Sequence, residues 1–517
     1  MKKYFFTLLV ALATFSACAQ KGAEKETQEI IKPGFNFTIK IKDFGANIPI
    51  ILGNYMGDKH YVRDTAFTNN SGEATFKGDT SLERGIYFIL LPNMTYFEVV
   101  ISNNNHFYIE TDTTGGDYYA KMVVKGSYEN QKYLEYNKFI VERGTKRAET
   151  DAKMRELAAA NKQNTPEWEK LKSQAQAQDL ELRNYKKEYI VKYPKHLLAN
   201  ILNMMEDVDI PEAPAEIAES EKRNWQYNYY KSHYWDNVNF SETGLSRSPG
   251  GILQKVTDRF FDKVISQEPD SISLYADKVI GLSTGNKELE RYFIWYLTLK
   301  YETSKVMCHD AVFVHMAKEY YCKGRAFWTD TSVINSICKK AEKLSYTLCN
   351  AKAPDLRMAD TKEKYHNLYD IKTPFTILFF WDPTCGHCKK VIPILNELSK
   401  KYKDTISIYA VGAESKFEEW EKYIQGHPEL SHWKNVNKTD RYWPWPINKQ
   451  NYDIIANPVI FLLDKDKNIL AKKIDENKLE EFIIFMMGNK GLLSSEEADR
   501  RILEVRAKAK PESEEEH

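Results

Sequence analysis

The chain has 517 residues, too many for a single hydrophobic core, so several domains are expected. At 42% hydrophobic and 28% charged it has a globular composition, which excludes a disordered or membrane-embedded chain. Lysine plus arginine equals aspartate plus glutamate at 73 each, so no long-range field points to nucleic acid or an anionic membrane surface as partner.

The first residues read as an export signal. Lys2 and Lys3 give a basic start, residues 4–14 form an apolar run too short for a permanent span, and small residues follow. Phe15-Ser16-Ala17-Cys18 is similar to a bacterial lipobox, in which Cys18 becomes the lipidated first residue. Ala17-x-Ala19 suits ordinary signal peptidase instead. The polar stretch 20–29 suits a tether, which favours the lipoprotein. Either cleavage exports the chain, so the expected location is the periplasm, free or held at the membrane by a lipid on Cys18. No later stretch reaches the ~20 apolar residues of a membrane span. Residues 1–18 are therefore assigned to the signal and 19–34 to a linker.

Residues 35–126 read as a β-rich module. Phe35-Asn36-Phe37-Thr38-Ile39-Lys40-Ile41-Lys42 alternates with period 2, and short runs follow at 48–55, 61–68, 85–91, 96–101 and 107–111. Turn clusters such as Asn69-Asn70-Ser71-Gly72 separate them, predicting an all-β sandwich or open barrel. No catalytic constellation falls here, so a scaffold or docking role is expected. Residues 127–349 change to helical spacing, with Ile252, Val256, Phe260, Phe261 and Val264 as one stripe and Leu289, Tyr292, Phe293 and Tyr296 as another. An all-α module of six to nine helices is predicted, its aromatic stripes serving as core.

From 350 to 490 strands and helices alternate, an α/β pattern. The continuous apolar run 376–381 suits a strand covered on both faces. A helix over 388–402, a strand over 406–411, a helix over 416–424, a hairpin of 459–463 and 469–473, and a helix over 476–487 follow. Between Trp420 and Tyr452 lies an insert with Trp433 and Tyr442-Trp443-Pro444-Trp445-Pro446, read either as a partner-docking surface or as cover for a sheet edge. Residues 491–517 read as a charged, exposed tail.

The chemistry lies in Cys385-Gly386-His387-Cys388, placed where the buried strand meets a helix. Unpaired N–H groups and the macrodipole at a helix N-terminus favour a thiolate at Cys385, and the thiolate is the nucleophile. Cys388, one turn inward, can attack the resulting mixed disulfide and release the product. A zinc site would need two further ligands at suitable spacing, which the remaining cysteines do not supply, so no metal is expected.

The segment Phe380-Trp381-Asp382-Pro383-Thr384-Cys385-Gly386-His387-Cys388-Lys389-Lys390 resembles the active-site stretch of thioredoxin-like proteins, in particular the TlpA/ResA-type envelope thiol–disulfide oxidoreductases. Ala353-Pro354-Asp355-Leu356 is similar to the opening of such domains, and Asn457-Pro458-Val459 stands where they carry a cis-proline. The resemblance implies a thioredoxin fold, a cis Pro458 beside the disulfide, Asn457 presenting its backbone to a substrate strand, and Trp381 shielding the motif. It also implies no cofactor beyond the redox-active disulfide, cysteine-containing exported proteins as substrates, and a separate redox donor or acceptor protein. The layout of signal, strand-rich module, helical module and thioredoxin domain is similar to that of envelope lipoproteins. One departure stands out: thioredoxin's buried aspartate, six residues before the first cysteine, is Phe379 here, so proton transfer at Cys388 needs another group. The Gly386-His387 dipeptide resembles that of protein disulfide isomerases, whose histidine favours the thiolate, but does not by itself fix reductase or isomerase direction.

Four cysteines remain in the helical region. Cys338 and Cys349 on one helix would be about 16 Å apart, beyond disulfide reach. An antiparallel helical hairpin would instead bring Cys322 to Cys338 and Cys308 to Cys349, with buried free thiols as the alternative. Two other functions share these features: a thiol peroxidase, and an envelope binding or assembly protein with an accessory redox domain.

Overall fold

The computed structural model describes residues 32–412, 416–437 and 452–508. Cys18, the export segment and the aromatic stretch 442–446 lie outside the described residues.

Alternating side chains build the N-terminal sheets. In β1 (Phe35–Ile41), Phe37, Ile39 and Ile41 are buried and the residues between them are not. With β4 (Glu73–Gly78), β7 (Tyr108–Thr111) and β8 (Val123–Lys125) it forms a sheet in the order β4-β1-β7-β8. A second sheet runs β3-β2-β5-β6, from β2 (Pro49–Met56), β3 (Lys59–Phe67), β5 (Gly85–Leu90) and β6 (Tyr96–Ile101). Phe37, Phe76, Leu52, Tyr87 and Phe97 meet in one core between them, making a β-sandwich. Strands β4 and β8 escape the periodicity because they bury only Ala74 and Phe76, and Val124.

Nine α-helices follow among the described residues before the next strand. α1 (Tyr128–Ala159) is capped by Ser127, whose hydroxyl accepts the Asn130 N–H. The Asn130 side chain then bonds both backbone groups of Val100, at 2.8 and 2.7 Å, standing in for a neighbour at the sheet edge. α2 (Pro166–Lys192) packs on α1 with Tyr185 stacked on Phe139 at 3.8 Å between centroids. The others are α3 (Leu197–Met205), α4 (Glu219–His233), α5 (Ile252–Arg259), α6 (Pro269–Leu282), α7 (Lys287–Glu302), α8 (Asp310–Met316) and α9 (Thr331–Ser345).

The helical region 127–349 is divided rather than a single body. Of the described residues, those up to Gln267 and Asp277–Phe293 group with the sandwich, whereas Glu268–Ala276 and those from Ile294 onward group with the C-terminal sheet. Within that second unit the attachment is both covalent and electrostatic. Cys308 is bonded to Cys349 and Cys322 to Cys338, so the inner bridge is nested inside the outer. Lys472 pairs with Asp310 and donates to the Thr347 carbonyl at 2.7 Å. The bridges are the pairings that an antiparallel helical hairpin brings together, whereas the Lys472–Asp310 pair is not visible in helical periodicity.

The C-terminal sheet has seven strands in the order β10-β9-β13-β12-β11-β14-β15: β9 (Arg357–Ala359), β10 (Tyr365–Asn367), β11 (Phe375–Trp381), β12 (Ile406–Gly412), β13 (Lys434–Asn437), β14 (Val459–Asp464) and β15 (Ile469–Lys472). Central β11 runs parallel to β12 and antiparallel to β14, and every residue of it is buried. Ile377, Phe379 and Trp381 face a core shared with α10 (Gly386–Lys401) and α12 (Glu476–Asn489), while Leu378 and Phe380 face Leu356, Tyr409 and Tyr452. α11 (Phe417–Gly426) brings Trp420 over Gly412, where an added Cβ would meet its indole at 2.7 Å.

One expectation is corrected, and one alternative left open by the sequence is decided for Trp433. The charged tail forms a helix, α13 (Ser495–Lys508), with Ala498 buried and Ile502 and Val505 packed on the same core as α12; the dense charge of its outer face hides that stripe. Trp433 is not on a docking surface: it is buried, and its indole N–H donates to Ser399 Oγ at 3.2 Å.

Candidate active site

The end of β11 and the start of α10 fix the two thiols. After Trp381 the chain turns on Asp382, whose carboxylate accepts the Thr384 N–H at 2.7 Å and whose carbonyl accepts the Cys385 N–H at 3.2 Å. Cys385 is thereby set at the N-cap of α10, and its sulfur accepts the Cys388 N–H at 3.3 Å. That N–H is one of the donors a helix start leaves without a backbone partner, so it points at sulfur with no rearrangement. Nothing lies within 4 Å of where a Cβ on Gly386 would stand, which leaves the outer side of the motif open.

The two cysteines differ sharply in environment. Both are free thiols, but Cys385 is half-buried and Cys388 has no exposed surface. Burial, the hydrogen bond with Cys385 and the nearby charges of Cys385 and Asp382 push the Cys388 thiol up to about 12. Iodoacetamide applied to the folded chain with this pair reduced, at neutral pH, is therefore expected to modify Cys385 and to spare Cys388. Cys388 should label only after denaturation. Equal labelling of both cysteines in a mass map of the native protein would contradict this asymmetry.

Around the pair, Trp381 is fully buried, stacked near Phe379 and edge-on to Tyr423 at 5.2 Å, so it backs the motif from inside the core. The Asn457–Pro458 peptide is cis, and the Asn457 carbonyl lies 3.6 Å from the Cys385 sulfur, where the S–H donates to it. His387 turns outward to the first residue of α12, its Nε2 lying 3.0 Å from Glu476 Oε1. His387, Ile455, Asn457, Pro458, Ile474 and Glu476 line a cleft of about 470 Å³ beside the thiols. Phe379, where thioredoxin has its acid, is buried in the apolar core. Among the described residues, no cluster of His, Cys, Asp or Glu is placed to hold a metal.

Sequence reasoning missed two residues here. Asp382 could have been found, since an aspartate two residues before Thr384 is a turn signature. Glu476 could not, because 89 residues separate it from His387.

Comparison with known proteins adds the following. A family model described as thioredoxin-like matches residues 374–469, and one described as a domain of unknown function (DUF5106) matches 157–344. The thiol-disulfide oxidoreductase ResA of Bacillus cereus is 30% identical over 135 residues, which is 25% of this chain and 71% of the relative. A solved domain of a possible thiol-disulfide isomerase from Cytophaga hutchinsonii is 38% identical, covering 28% of this chain and 97% of its own, with a TM-score of 0.26. A thioredoxin-like protein from Bacteroides caccae is 19% identical over 54% of this chain and 99% of its own, with a TM-score of 0.41.

Proposed function

The chain belongs to the ResA-type, thioredoxin-like thiol–disulfide oxidoreductases, and from that premise we propose that Cys385 and Cys388 exchange disulfides with cysteines of exported proteins outside the cytoplasm. The observation that carries this reading is the pairing of an accessible sulfur at a helix N-terminus with a buried one a turn further in.

In the reducing direction the Cys385 sulfur attacks a substrate disulfide, a mixed disulfide forms, and the departing substrate sulfur takes up a proton. Cys388 then loses its proton and attacks Cys385, which frees the second substrate thiol and leaves the internal disulfide. No cofactor is needed, but a partner protein must restore the dithiol. The second step is the demanding one, because burial holds the Cys388 proton. Asp382 is the carboxylate whose charge acts on Cys388, with Phe379 inert where thioredoxin has an acid.

Export is supported by the basic and apolar start of the chain and by the two bridges Cys308–Cys349 and Cys322–Cys338, which suit an oxidising compartment. Acylation of Cys18 would hold the protein at the membrane.

The test is equilibration of the full chain with glutathione buffers, reading the Cys385–Cys388 state by alkylation and mass. A potential near or below thioredoxin's, about −270 mV, makes the protein a reductant needing an electron donor. One near the isomerase value of about −180 mV or above makes it a shuffler or oxidant. A pair that never equilibrates with glutathione would remove the exchange reading.

A further inference from the structure

Beside the cleft lined by His387 and Pro458 lies a second, larger hollow of about 810 Å³, and Asp453, Ile455, Lys473, Ile474 and Asp475 line both. The far wall comes from outside the matched thioredoxin-like segment: Val306, Met307 and Cys308, from the stretch between α7 and α8. That stretch is held to the C-terminal sheet by the Cys308–Cys349 bridge and the Lys472–Asp310 pair, so the hollow is pre-formed.

Charge and apolar surface are distributed unevenly in it. Four ion pairs lie within its walls, Lys340 with Glu302 at 2.8 Å, Lys473 with Asp453 at 4.0 Å, Lys472 with Asp310, and Arg506 with Glu481, while Lys305 and Lys478 stand exposed at its rim. Large apolar side chains are left open to solvent along the same walls, with Ile455 85% exposed, Val306 58% and Phe485 48%. A hollow of this size, sharing a wall with the cleft beside Cys385 and lined by open apolar side chains, suits a largely apolar ligand.

We propose that this hollow is a substrate subsite that takes an extended, apolar stretch of the polypeptide flanking the reacting cysteine. The proposal rests on the exchange reaction above and names its substrate class: cysteines embedded in apolar sequence, as exposed in incompletely folded proteins, rather than cysteines in polar surface loops. The part of the chain preceding the thioredoxin fold then contributes directly to substrate choice, through residues 304–308.

Two measurements on the full chain test this. Disulfide peptides with identical cysteine cores carry a tail of leucine, valine and phenylalanine, or of serine and glycine, placed on either side of the cysteine in turn. The apolar tail is expected to raise kcat/KM about tenfold on one side, mainly through KM, as partial burial of one or two apolar side chains would give. In the second, a Cys388→Ser chain is trapped with the apolar peptide bearing a photoreactive phenylalanine analogue, and the cross-link is mapped. Cross-links within 304–308 or 482–485 support the subsite; cross-links confined elsewhere overturn it. Equal kcat/KM for both tails on both sides also overturns it, while failure to turn over any peptide would sink the exchange reading instead.

Discussion

A Cys388→Ser chain is expected to remain covalently joined to its substrate, whereas a Cys385→Ser chain should form no adduct at all. Serine at 388 leaves the first attack intact, because Cys385 keeps its place at the N-cap and its opening to solvent. A hydroxyl cannot displace the substrate sulfur, so the mixed disulfide accumulates. Serine at 385 removes the only accessible sulfur of the motif. Cys388 cannot replace it, being wholly buried with its thiol pushed up to about 12. Turnover should fall by at least about 10³-fold in the Cys385→Ser chain, the range in which loss of a catalytic nucleophile lies. Intact mass after mixing with a disulfide peptide reads both outcomes. A Cys388→Ser chain that turned over like the parent would show that substrate thiols, and not Cys388, resolve the intermediate.

A large expected effect on stability comes from Asp310→Ala. Lys472 is almost fully buried, its proton affinity lowered by burial and held up by Asp310 and the Thr347 carbonyl. Removing the carboxylate leaves a buried ammonium with one carbonyl acceptor. Breaking such a pair costs about 3–5 kcal/mol, and the lower end is expected here because the Asp310 side chain is 21% exposed. The loss should depend on pH. Lys472 releases its proton at lower pH in the folded than in the unfolded chain, so the unfolded state binds more protons between the two values and stability rises with pH there. The penalty is therefore full at neutral pH and shrinks as pH climbs towards the unfolded value of about 10.4. Urea melts at several pH values measure it, and an Asp310→Leu, Lys472→Met double variant should recover most of the loss. A pH-independent deficit would mean that packing, not the ammonium, is responsible.

How much the sequence disclosed depended on how locally each feature is encoded. The alternation in β1, the helical stripes at 252–264 and 289–296, and the strand run 376–381 with the helix after Cys388 each carry their signal within a few residues. The all-β, all-α and α/β classes follow from them, and the thioredoxin-like class from the resemblance carried by residues 380–390. Strands β9, β10 and β13 have three or four residues each and bury few apolar side chains, so nothing periodic marks them. In α13 the apolar stripe of Ala498, Ile502 and Val505 is outnumbered by charged neighbours. Trp433 was ambiguous because an aromatic near a proline-rich insert reads equally as surface or core. At the site, the Cys-x-x-Cys spacing and the strand-to-helix junction are local and legible. The Glu476 partner of His387, the walls of the apolar hollow and the division of the helical region depend on residues far apart in sequence, which only folding brings together.

The outer bridge has a practical consequence. Cys308 lies in the wall of the hollow, and its bond to Cys349 closes a loop with a sequence separation of 41, worth about 4 kcal/mol by chain entropy. Protein made in a reducing cytosol would carry the reactive pair but not this brace. The host chosen for expression therefore decides whether an assay reports generic exchange or the selectivity of the braced molecule.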